Sequence, residues 1–187
     1  MIQISTTLVP LELQENPAFK SCVENHERCF NSSKFDTKLR TIICLHEATH
    51  LVYARELGFE PRLYGPSVDY DFDTEKFRRL DSSVQGLPYE IRMNADLVVV
   101  AKQFLAPVYV EEKLLSHRTQ AEIWADALGD VKNYNNWLVQ RLQIKGDVHP
   151  FSSFDLREAT NRDLRSPAFR RRLWGAAREF SIKVFGT

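Results

Sequence analysis

Apolar positions recur at helical spacing from Thr37 to Leu57, where Leu39, Ile42, Ile43, Ala54 and Leu57 define one face. Asp36 is placed to cap the start of this helix and Gly58 to end it. A second helical pattern covers Tyr89 to Ala106, with Ile91, Ala95, Val98, Val99 and Leu105 as core positions. Pro107 is expected to end or kink it, leaving Tyr109 to Leu115 as a separate short helix. His117 to Gly129 is ambiguous; a helix follows from Asp130 to about Lys145, and Gly146 and Pro150 close it. The tail predicts a helix from Pro167 to Phe185, since proline is well suited to a first helical position.

Elsewhere the pattern is weaker. Gln3 to Val9 suits a short strand, Asn16 to Phe30 a short helix, and Asn31 to Ser33 a loop. Phe59 to Pro88 is punctuated by Pro61, Gly65, Pro66, Gly86 and Pro88, so it reads as loop with one or two short strands, Pro61 to Tyr64 being one. Asp69 to Asp73 resembles the start of a calcium loop, but Thr74 and Leu80 stand where glycine and glutamate are needed, which leaves a solvated acidic loop. The expected fold class is mainly α with a small β element. Its parts are an N-terminal segment, 1–36, packing on a core, 37–146, with a C-terminal helical extension of the same domain, 147–187.

A chain of 187 residues with 43% apolar content can bury a core without disulfides. Its 25 basic and 25 acidic residues cancel, which argues against a dedicated nucleic-acid binder. Arg170, Arg171 and Arg172 are diluted by Asp163 and Glu179 and suit a solvated helix face. Cys22, Cys29 and Cys44 make no disulfide framework, and neither a leader peptide nor an apolar run of roughly 18 residues is visible. A soluble cytoplasmic protein with no membrane span is expected.

The chemistry lies in Cys44-Leu45-His46-Glu47-Ala48-Thr49-His50. Histidines four apart on a helix share a face, one turn apart, where both imidazoles reach one tetrahedral zinc ion. Glu47 falls beside that ion, placed to take a proton from zinc-bound water as it attacks a peptide carbonyl. The bland alternative is a buried helix with two structural histidines and a salt-bridged glutamate. Cys44 points to another side and suits the core. A third protein ligand is required. Asp130, following Gly129, is the first candidate; Glu122 and Asp126 form an E-x-x-x-D pattern like the glutamate-bearing helix of thermolysin-like enzymes. Glu111, Glu112, His26, His117 and His149 remain open.

The stretch Thr41 to Gly58 resembles the peptidase helix of the FtsH-type zinc proteases, whose motif is H-E-A-G-H-A. Lys102 to Glu112 is similar to that family's segment ending L-A-G-x-x-A-E-E, and Gly129-Asp130 stands where the family supplies an aspartate as third ligand. The resemblance covers roughly residues 37 to 145 and implies a zincin-like helical metallopeptidase domain. Thr49, Leu51 and Pro107 depart from the family pattern, replacing glycine, alanine and glycine. No phosphate-binding G-x-x-x-x-G-K-[ST] is present, so the expectation is a stand-alone domain without the ATPase. The expected activity is a zinc-dependent metallopeptidase-like hydrolase acting on a protein or peptide substrate. The alternative is a non-catalytic regulatory or binding protein that retains the fold.

Overall fold

The computed structural model describes residues 9–29, 37–71, 76–146 and 153–186. Its elements in chain order are α1 (Leu11–Gln14), α2 (Pro17–Cys29), α3 (Thr37–Glu56), β1 (Leu63–Asp71), β2 (Lys76–Val84), α4 (Tyr89–Asn94), α5 (Leu97–Leu114), α6 (Gln120–Asp126), α7 (Leu128–Lys145), α8 (Ser153–Arg165) and α9 (Pro167–Phe180). A π-helical turn, Ser181–Phe185, continues α9. The fold is mainly helical, with one antiparallel two-stranded sheet among the described residues. Among the described residues no helix is long and apolar enough to cross a membrane. The strand expected at Gln3 to Val9 and the cap expected at Asp36 lie, but for Val9, outside the described residues.

α5 is the axis of the molecule. Every residue from Val100 to Glu111 is buried, as in a helix surrounded by protein on all sides. One face joins α2, α4, α6, α7 and α8 in a cluster around Phe104, Leu105, Trp124, Tyr134 and Trp137. The other contributes Ala106 and Val110 to a second cluster shared with α3 and α9, around Leu45, Leu51, Phe169, Leu173 and Phe180. Even Lys102 is buried; its Nζ donates to Asp163 of α8 at 2.7 Å and lies over the Tyr53 ring.

α3 ends where glycine was expected to end it. Gly58 takes φ 73°, and the Phe59 N–H returns to the Ala54 carbonyl at 3.0 Å, a closure that favours a residue without Cβ. The two bulky departures in the motif are accommodated inside the core. Thr49 donates its hydroxyl to the Leu45 carbonyl at 2.8 Å, and Leu51 is fully buried against the α9 cluster.

Four expectations are corrected. Tyr89 to Ala106 is not one helix: the chain breaks at Ala95, and Asp96 caps α5 by accepting from the Val98 and Val99 N–H groups. Pro107 does not end the helix, since α5 continues to Leu114 and absorbs the short helix expected at Tyr109 to Leu115. An interior proline costs about 3 kcal/mol, but burial of one large aliphatic side chain stabilises by roughly 1.5–3 kcal/mol, and α5 buries several. The one or two short strands expected between Phe59 and Pro88 are two strands of nine residues each, paired as a hairpin, with an irregularity at Gly65-Pro66 where proline would interrupt pairing; Asp69 to Asp71 lie in β1 rather than in an acidic loop. Finally, Gly129 does not mark the helix boundary: α6 ends at Asp126 and α7 begins at Leu128, so Gly129 is already helical. α8 was not anticipated from the sequence.

Candidate metal centre

His46 and His50 stand one turn apart on α3, facing α5 and the start of α7. Their Nε2 atoms are 3.3 Å apart. The Asp130 carboxylate straddles the pair, Oδ2 lying 3.0 Å from His46 Nε2 and Oδ1 3.5 Å from His50 Nε2. Asp130 is in the first turn of α7, where helix N–H groups and the macrodipole favour negative charge. These three side chains form a group able to hold a metal ion.

The outer nitrogen of His50 decides its tautomer. His50 Nδ1 lies 2.5 Å from the Gln103 backbone carbonyl. A carbonyl only accepts, so Nδ1 carries the proton. His46 Nδ1 lies 2.7 Å from Glu111 Oε1, and Glu111 is itself ion-paired to Arg118, whose other arm reaches Asp126. His50 thus presents the unprotonated Nε2 toward Asp130 when neutral. His46 has a carboxylate on each ring nitrogen, a setting that favours its protonated form, or a cation at Nε2 with the proton kept on Nδ1.

The electrostatics agree. Burial disfavours the imidazolium at His46, but hydrogen bonds and charge from Asp130 and Glu111 outweigh it and hold its pKa well above the ordinary value. His50 is likewise raised, Asp130 overcoming burial. Burial pushes Asp130 upward, but the two histidines prevail and leave it far below the usual carboxylate range. The pocket is built to hold positive charge.

Glu47 lies on the same helix beside this group. Its Oε2 accepts from the Val84 N–H, at the end of β2, at 2.9 Å. Burial raises its pKa, with the two histidines opposing. The hairpin therefore fixes the carboxylate, a role that no sequence signal assigned to Val84.

The remaining sequence candidates are elsewhere. Glu122 is exposed and closes a capping box, accepting from the Thr119 N–H and hydroxyl at 2.7 and 2.9 Å. Asp126 pairs with Arg118. Glu112 accepts from Trp124 Nε1 and pairs with Arg157. Glu111 approaches the outer side of the His46 ring rather than the shared space. His117 is exposed in a turn; the His26 side chain and His149 lie outside the described residues. Cys44 is buried, as expected of a core cysteine.

No family model, curated protein or solved structure matches this chain. The FtsH-type resemblance therefore rests on the quoted residues alone.

Proposed function

We propose that the chain is a zinc-dependent metallopeptidase-like hydrolase, with His46, His50 and Asp130 as zinc ligands and Glu47 as general base. The observation that carries this reading is the convergence of two imidazole Nε2 atoms and one carboxylate, with nearest separations of 3.0, 3.3 and 3.5 Å. Ligand atoms about 2.0–2.1 Å from a tetrahedral ion stand about 3.3–3.4 Å from one another; the two imidazole nitrogens match that spacing, and each ring has a different Asp130 oxygen nearby, so the donor types suit zinc. Three protein ligands leave a fourth position open, the pattern of catalytic rather than structural sites.

Zinc held there would supply Lewis-acid chemistry, acidifying a water and polarising a substrate carbonyl. The chain's own residues do the rest. Gln103 fixes His50 in the ligand tautomer, and Glu111 would accept from His46 Nδ1 once a metal takes its Nε2. Glu47, clamped through one oxygen by Val84, accepts a proton from the attacking water, and in the metal-free protein burial raises its pKa. A flexible protein segment or peptide is the substrate class this reading implies.

Metal analysis of protein purified without added zinc tests the site. About one zinc per chain is expected, falling to a small fraction in His46→Ala and His50→Ala. Full occupancy in the double alanine variant would refute the assignment. A peptidase assay on the zinc-loaded protein then separates an enzyme from a metal-binding regulator.

A further inference from the structure

We propose that Pro107 is a positioning residue for His50, acting by leaving a helix carbonyl without its usual donor. In an α-helix the carbonyl of residue 103 accepts the N–H of residue 107. Proline has no N–H. Pro107 lies inside α5, with helix continuing on both sides, so the Gln103 carbonyl is deprived of its intrahelical partner. It sits in the core beside α3, where an unmet carbonyl carries a desolvation cost. His50 Nδ1, from a helix 53 residues earlier in sequence, meets it at 2.5 Å.

The two halves of this arrangement complete each other. The carbonyl gains a donor; the imidazole gains an acceptor that fixes its proton on Nδ1 and turns Nε2 toward Asp130. A residue with an N–H at 107 would compete for the same oxygen. This identifies a use for a residue that otherwise only weakens the helix, and one at which the chain departs from the FtsH-type pattern. The tautomer assignment stands on the geometry; its consequence for metal affinity rests on the zinc reading above.

The test uses the full chain with 15N-labelled histidine, together with Pro107→Ala. In the metal-free wild type, with His50 neutral, its ring is expected as the Nδ1–H tautomer. In Pro107→Ala the Nε2–H tautomer should gain population, and zinc titrated against a competing chelator should bind roughly 10-fold more weakly, as for other groups that orient a ligand. Thermal stability of the metal-free variant should hold or rise, because the helix regains a donor. A merely structural proline would not lower affinity while stability rises. Pro107→Gly, which also restores the N–H, serves if the alanine variant fails to fold, and the wild-type tautomer needs no variant. A wild-type Nε2–H tautomer, or unchanged tautomer and affinity in the variants, would overturn the proposal. Absence of zinc binding by wild type with the tautomers as expected would instead defeat the zinc reading and leave the positioning role intact.

Discussion

Glu111 is 65 residues from His46 in sequence, yet its Oε1 lies 2.7 Å from the ring's Nδ1. Glu111 is buried and His46 partly so, and Arg118 holds the carboxylate from the other side. Glu111→Gln keeps the shape but weakens the acceptor and leaves Arg118 short of a charge. Zinc affinity should fall about 10-fold or more, measured by chelator competition. Equal affinity in the two proteins would show that Glu111 does not support the His46 ring.

Glu47→Gln separates base from ligand. The variant should retain its zinc and lose roughly 10²–10⁴-fold in turnover, the usual share of general-base catalysis. The amide can still accept from the Val84 N–H, so the helix and hairpin should stay in place. Zinc lost along with activity would make Glu47 a ligand instead.

Asp130→Asn should weaken zinc binding more than Glu122→Gln does. The side-chain amide introduced at position 130 could still hydrogen-bond but would carry no charge for an ion between the two rings. The exposed Glu122 caps α6, so its variant should cost about 1 kcal/mol of stability at most and leave metal content unchanged. Paired metal analysis and urea denaturation read both effects; the reverse ranking would move the third ligand to α6.

Gly129 offers a stability gain beside the site. It is exposed and helical, its φ is not positive, and a Cβ there meets no atom within 4 Å. Gly129→Ala should stabilise by about 0.5–1 kcal/mol in denaturant unfolding, with zinc affinity unchanged. A loss of stability would mean that the turn into α7 needs glycine after all.

Acid should erase one specific contribution. Arg55 hydrogen-bonds Glu179, tying α3 to α9, and with Lys183 it lowers the Glu179 pKa to about 2. A depressed carboxylate pKa contributes stability that is present above its ordinary value of 4.5 and is lost as pH falls through the folded value. Wild type should exceed Glu179→Gln by about 1 kcal/mol near neutral pH, and the gap should close between roughly pH 4.5 and 2. A gap constant across that window would exclude this ion pair as its source.

Local chemistry made part of this structure legible before folding. Gly58 ended α3 because its signal is intrinsic to the backbone, and His46 and His50 shared a face because helix geometry alone puts them there. Pro107 misled because the proline rule describes a lost hydrogen bond, whereas the replacement donor comes from α3, which linear inspection cannot place. Asp96 was different: an aspartate ahead of an apolar run is a cap signal, and continuous periodicity across Ala95 obscured it. The length of the two strands was hidden by Pro66 and the acidic residues, which lower strand propensity but are tolerated in a two-stranded sheet. Glu111 appeared only as a possible ligand; that it would sit behind a ring depended on the rotation of α5 against α3.

Gln103 and Glu111 are eight residues apart on α5, about 12 Å along its axis, and each grips the outer nitrogen of a different histidine. They belong to one continuous helix, a rod whose residues from Val100 to Glu111 are all buried. A slip or rotation of that rod disturbs both acceptors together, so neither imidazole can be retuned alone by moving the helix. The two ligand geometries are mechanically ganged, and substitutions anywhere along the rod that shift its seating will register at both rings at once.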